Sequence, residues 1–136
     1  MDYRVILYHK QPTSARTRFL KFSHESVCAF DPLPKLSARV TQLPSTVHHP
    51  AAILHETEER LGLPRETLCN EGEYRQAIEV PGDTIEVLLA SINTIDPPFA
   101  LAERAGASFI DLTQARQLPQ VELELLRAAY ELVLGG

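Results

Sequence analysis

Between Pro50 and Pro64 the chain reads PAAILHETEERLGLP. Residues three and four apart are neighbours on a helix, so Glu56 and Glu59 share one side and His55 lies one turn before Glu59. His48 and His49 stand immediately upstream. Paired carboxylates at this spacing suit a hard cation such as Mg²⁺ or Mn²⁺. Imidazoles added to the set shift the preference toward Zn²⁺ and other transition metals. The plain alternative is a solvated helical face. On that reading Ile53, Leu54 and Leu61 go inward, the acids stay in water, and Arg60 complements the helix dipole.

Other reactive side chains are sparse. Cys28 and Cys69 sit in no metal-type or redox-type spacing and read as ordinary reduced core residues. Tyr3, Tyr74 and Phe99 are aromatic surfaces on which a base would stack if they border a cleft, and core residues if they do not. Arg16, Arg18 and Lys21 form a small basic cluster, as a solvated strand face would. A net charge of −5 argues against nucleic acid as a partner, because phosphate binding needs a basic face. VILY, IEVLLASI and LELL are too short to span a bilayer, and the N-terminus lacks a signal-type apolar run, so a cytoplasmic protein is expected.

The elements that must position these groups follow from pattern. The 136 residues, 44% hydrophobic and 23% charged, suit one globular domain, 1–136. Tyr3–Tyr8 and Arg18–Ser23 read as strands of an antiparallel hairpin, the second alternating Phe19 and Lys21 against Leu20 and Phe22. Ser26–Phe30 and Ala38–Leu43 read as further short strands. Pro50 opens a helix, since its missing N–H is harmless in the first turn, and Gly62 with Pro64 closes it. Glu73–Val80 and Thr84–Ile92 flank Pro81-Gly82-Asp83 as a hairpin, with Val87–Ala90 apolar enough to be buried on both faces. Phe99–Gly106 is a short helix or loop, Ser108–Leu112 a strand, and Thr113 starts a turn or two of helix. Pro119–Leu134 is a helix whose Val121, Leu125, Leu126, Ala129, Leu132 and Val133 form a broad apolar face, with Glu122 and Glu124 at the positive end of its dipole. The predicted class is α+β: a mixed, mainly antiparallel sheet packed between a mid-chain helix and a C-terminal helix.

HETEERLGL resembles the second half of the Nudix box, R-E-U-x-E-E-x-G-U with U aliphatic, and the order of elements around it resembles a Nudix domain. The resemblance implies that Glu56 and Glu59 bind Mg²⁺ or Mn²⁺, which activates water and screens a diphosphate. It places His55 where the family has arginine, as a substitute ligand or base alongside His49. Glu103 falls where some Nudix enzymes supply a late carboxylate ligand. Gly62 and Leu63 match the closing pair. Arg60 replaces the second consecutive glutamate and Thr57 an aliphatic. Upstream, an ungapped alignment puts Thr41 and Val47 on the first glycine and glutamate, while a gapped one puts Ser45 and Thr46 on the glycines.

Three functions are implied. One is a divergent hydrolase cleaving a nucleoside diphosphate-X bond, with Glu56, Glu59 and His55 catalytic and Glu56, Glu59 and Glu103 holding metal. The second is a catalytically silent module that binds a nucleotide-like small molecule or a protein in the same fold. The third is assembly as a homodimer through the C-terminal helix, where Leu123, Tyr130 and Leu134 widen the apolar face; the competing account packs them within one chain.

Overall fold

A computed structural model describes residues 2–40 and 49–135. The chain runs β1 (Asp2–Lys10), β2 (Thr17–Phe22), β3 (Cys28–Ala29), β4 (Ala38–Val40), α1 (Pro50–Leu61), β5 (Leu68–Asn70), β6 (Gln76–Val80), β7 (Asp83–Ile92), α2 (Phe99–Arg104), β8 (Ala107–Ile110), a 3₁₀ turn (Leu112–Ala115) and α3 (Gln120–Gly135).

The eight strands make one mixed sheet in the order β4-β6-β7-β1-β2-β8, with β3 on β1 and β5 on β7. Its centre is the parallel pair β1/β7, in which Val5 faces Leu88 and Leu7 faces Ala90. The other pairings are antiparallel. Each central strand is forked along its outer edge. β7 pairs with β6 over Asp83–Val87 and with β5 over Ala90–Ile92. β1 likewise pairs with β3 at Val5–Ile6 and with β2 from Tyr8 onward.

Alternation along the strands sorts two apolar layers. Ile6, Tyr8, Phe19, Val87 and Leu89 pack with Leu125, Leu126 and Ala129 of α3. Val5, Leu7, Leu20, Phe22, Leu88 and Ala90 pack on the other face with Ile53, Leu54 and Leu61 of α1 and Ala102 of α2. This is why Val87–Ala90 is continuously apolar: each side chain enters one layer or the other. Both hairpins, the two long helices and the two-layered arrangement match the sequence reading. The strand β5 was not anticipated, and residues 41–43 of the expected fourth strand lie outside the described residues.

The turns follow the local chemistry. Val80 pairs with Asp83, leaving Pro81-Gly82 as a two-residue turn in which Gly82 takes φ of 80°. Gly62 caps α1 at φ 75°, its N–H reaching the Glu58 and Glu59 carbonyls. A Cβ there meets open space but forces the left-handed conformation on an alanine. Gly62→Ala is therefore expected to lower stability by about 1 kcal/mol, read by urea unfolding.

Candidate functional site

α1 carries most of the sequence-predicted site, and its wheel decides where each group points. Ile53, Leu54, Thr57, Glu58 and Leu61 are buried. Thr57 stands in an aliphatic position without leaving a buried polar group unpaired, because its hydroxyl donates to the Ile53 carbonyl at 2.8 Å. Glu58 corrects the expectation that all the helix's acids lie in water. It is 4% exposed, and its carboxylate accepts the Leu68 backbone N–H at 2.9 Å. The side chain thus joins α1 to β5.

Glu56 and Glu59 are exposed and already engaged. Glu56 accepts the Tyr3 hydroxyl at 3.1 Å. Glu59 lies 3.0 Å from His55 Nε2, while His55 Nδ1 is 3.9 Å from Glu58. Arg60 does not clamp these carboxylates; its guanidinium lies 3.8 Å from the centroid of the Phe30 ring. Glu103 sits exposed on α2, whose packing partner is β8. Among the described residues no group of three or more His, Cys, Asp or Glu side chains is arranged to hold a metal ion. The three predicted ligands Glu56, Glu59 and Glu103 are thus not brought together as one such group. His48 and the upstream positions Thr41, Ser45, Thr46 and Val47 lie outside the described residues.

Among the described residues, a concavity on α1 lies on its other flank. A hollow of about 530 Å³ is bordered by Ala51, Leu54, His55 and Glu58, one helical stripe, facing Arg65, Leu68 and Asn70, with His49 at the helix start. A second hollow, of about 190 Å³, occupies the fork where β5 and β6 diverge from β7, between Glu71, Arg75 and Glu86. Pro50 and Asn70 border both, so the two run together around β5. The fork is held open by paired groups: the Glu71 N–H donates to the Leu89 carbonyl at 2.8 Å, and its carboxylate accepts the Tyr8 hydroxyl at 2.6 Å. Burial and the adjacent carboxylate keep Tyr8 protonated, its pKa raised well above the usual tyrosine range. Of the groups singled out from sequence, His49, His55 and Tyr74 border these hollows, and neither Glu56 nor Glu59 does. Arg65, Glu71 and Arg75 were missed, since lone charged residues in short turns carry no periodic signal.

The remaining candidates resolve individually. Tyr74 borders the smaller hollow but is 7% exposed and packs in the core, its hydroxyl donating to the Leu125 carbonyl at 2.9 Å. Tyr3 is half-buried beside Glu56, and Phe99 is 55% exposed, edge-on to Phe109 with Arg18 above its ring. Cys28 is buried, and burial pushes its thiol pKa up to about 12, which suits an inert core residue. Cys69 corrects the expectation of a second core cysteine: it lies exposed on β5. The basic cluster is dispersed among local partners. Arg16 forks onto Asp111, holding that carboxyl below its usual range, Arg18 donates to Gln11, and Lys21 pairs with Glu25.

A mixed sheet of this order, with α1 on one face and α3 on the other, is a Nudix-like α+β fold. The solved structure of C. elegans Ap4A hydrolase superposes with a TM-score of 0.59 at 16% identity, covering 94% of this chain and 93% of that one. At that identity the likeness carries the fold. No protein-family model matches the chain. No curated protein matches it either. No helix among the described residues is long and apolar enough to cross a membrane.

Proposed function

We propose that the chain is a divergent, Nudix-fold hydrolase-like protein that works as a binding module for a nucleotide-like small molecule, with metal-dependent hydrolysis weak or absent. One observation carries this reading: among the described residues, Glu56 is tied to Tyr3 and Glu59 to His55, and neither carboxylate borders the hollows beside α1, while the concave flank of α1 presents His55 and Glu58. The second glutamate of the box is Arg60, held on Phe30. Fewer carboxylates and an added cation weaken a site for Mg²⁺ or Mn²⁺. The joined hollows combine an apolar floor, Leu54 and Leu68, with Arg65, Arg75, His49 and His55 beside Glu58, Glu66, Glu71 and Glu86, a mixed lining that suits a ring system with hydrogen-bonding edges, its acidic group on the Arg65 side. The fold shared with a protein named for hydrolysing Ap4A supports a nucleotide-like class.

The same reading takes residues 1–136 as one cytoplasmic domain without nucleic-acid or membrane partners. Leu123 and Tyr130 pack against the α3-side core, which leaves Leu134, 58% exposed, as the apolar side chain of α3 most open to a homodimer contact.

Calorimetric titration with adenosine mono-, di- and triphosphates, with and without Mg²⁺ or Mn²⁺, is the test. Binding is expected without cation, to weaken about tenfold in Arg65→Gln and His55→Ala, and to persist in Glu56→Gln and Glu59→Gln. Cation-dependent phosphate release that disappears in Glu56→Gln or Glu59→Gln overturns the reading and restores the hydrolase.

A further inference from the structure

On the face of the sheet opposite α1, the 3₁₀ turn lies against α3 and leaves a hollow of about 330 Å³ bordered by Leu112, Thr113, Arg116, Leu123 and Arg127. Three other hollows of the molecule each include carboxylates, namely Glu58 and Glu66, Glu71 and Glu86, and Asp111. This one includes none. It carries two guanidinium groups in a chain whose net charge is −5. Arg116 and Arg127 are exposed, and neither has a hydrogen-bond or ion-pair partner among the described residues. Arg16, Arg18 and Arg39 are bonded to Asp111, Gln11 and Gln76, while Arg65, Arg75 and Arg104 share the unpartnered state among the described residues without a second arginine in the same hollow.

We infer that this hollow is a second ligand site, taking a small organic anion whose acidic group is gripped by Arg116 and Arg127 and whose apolar body lies over Leu112 and Leu123. The chemistry is that of the guanidinium fork, which presents parallel N–H donors matched to the oxygens of a carboxylate or phosphate. Two such forks border one concavity whose lining includes no acid, although Glu124 and Glu131 lie one turn either side of Arg127 on α3. Thr113 adds a hydroxyl at the rim. The size is that of a small-molecule site, and the apolar floor distinguishes it from a patch that attracts any anion. Leu112 and Thr113 also border the neighbouring hollow that contains Tyr130, so the body of a longer ligand has an aromatic surface to continue along. The site is independent of the one on α1, since the two are separated by the sheet.

The test uses the full chain, isotopically labelled for NMR, titrated with inorganic phosphate, phenyl phosphate and benzoate at constant ionic strength. Phenyl phosphate and benzoate are expected to shift the amides of Leu112–Arg116 and Leu123–Arg127. Phenyl phosphate should bind about tenfold more tightly than inorganic phosphate. Arg116→Gln and Arg127→Gln should each weaken phenyl phosphate by about tenfold, with the lysine variants in between, while Arg65→Gln changes nothing at this site. Because both arginines are exposed, the variants should retain the wild-type amide spectrum elsewhere. No shift at millimolar phenyl phosphate, or an affinity indifferent to both substitutions, overturns the inference. Equal affinity for inorganic phosphate removes the apolar body from it.

Discussion

Glu122→Ala is expected to lower the stability of the protein by about 3 kcal/mol, measured by urea unfolding at neutral pH. The side chain is 1% exposed in the first turn of α3. Its carboxylate accepts the Ser26 hydroxyl at 2.8 Å and the Val27 backbone N–H at 3.0 Å. Ser26 Oγ in turn accepts the Cys28 N–H at 3.0 Å. Alanine strips the acceptor from two buried donors and loosens the link between α3 and the segment joining β2 to β3, and an unpaired buried donor costs about 1–3 kcal/mol. Glu122→Gln separates charge from hydrogen bonding. Its carbonyl still accepts from Val27, and its amide can donate to Ser26.

The same pair of proteins carries a pH signature. Burial raises the Glu122 pKa above the usual glutamate range, while the Val27 and Ser26 donors pull it partway back. The folded chain therefore holds this proton more tightly than the unfolded chain does. The group's contribution is fully present in acid, below the unfolded pKa, and is lost as pH rises through the folded one. Glu122→Gln cannot titrate, so its stability relative to the wild type should increase from acid to neutral pH. A constant difference across that range refutes the assignment.

Glu58→Ala is expected to remove about 2 kcal/mol, against less than about 0.5 kcal/mol for its neighbour Glu59→Ala. Glu58 is the acceptor for the Leu68 N–H at the start of β5, so its loss leaves that amide unpaired beneath α1. It also opens the wall of the larger hollow. Glu59 and its partner His55 are 67% and 40% exposed, where an ion pair is screened and weak. Amide hydrogen exchange gives a second reading. Leu68 should lose protection in Glu58→Ala and keep it in Glu59→Ala.

These two carboxylates mark the boundary of what is legible in the sequence. α1, α3 and both hairpins are legible because apolar periodicity and Pro/Gly punctuation agree along whole segments. Residue type places Glu58 in water and Glu122 at the positive end of the α3 dipole, although each stands on its helix's apolar stripe, Glu58 between Leu54 and Leu61 and Glu122 one turn before Leu125 and Leu126. Periodicity was the better guide there. β5 escaped for another reason: three residues, two of them exposed, have no pattern, and the strand exists because the outer edge of β7 beyond β6 needs a partner. The residues HETEERLGL, through their resemblance to a Nudix box, point to the helix that the fold places over the sheet, but not to the flank on which the described hollow lies. That depends on β5 and on the loop through Arg65, which are distant from the motif's own spacing.

The central parallel pair has a kinetic consequence. β1 and β2 meet through a short local loop, as do β6 and β7, so each hairpin can form early. The register that unites them matches Tyr3 with Glu86 and Tyr8 with Ser91, contacts between opposite ends of the chain's first two thirds. Closing that long loop fixes many residues before the inner faces of β1 and β7 are shielded. Refolding should therefore be limited by this joining step, in the millisecond-to-second regime of non-local topologies. Until it completes, the apolar edge Val87–Ala90 is open to another molecule's strand, so partial denaturation is when the protein is most prone to aggregate.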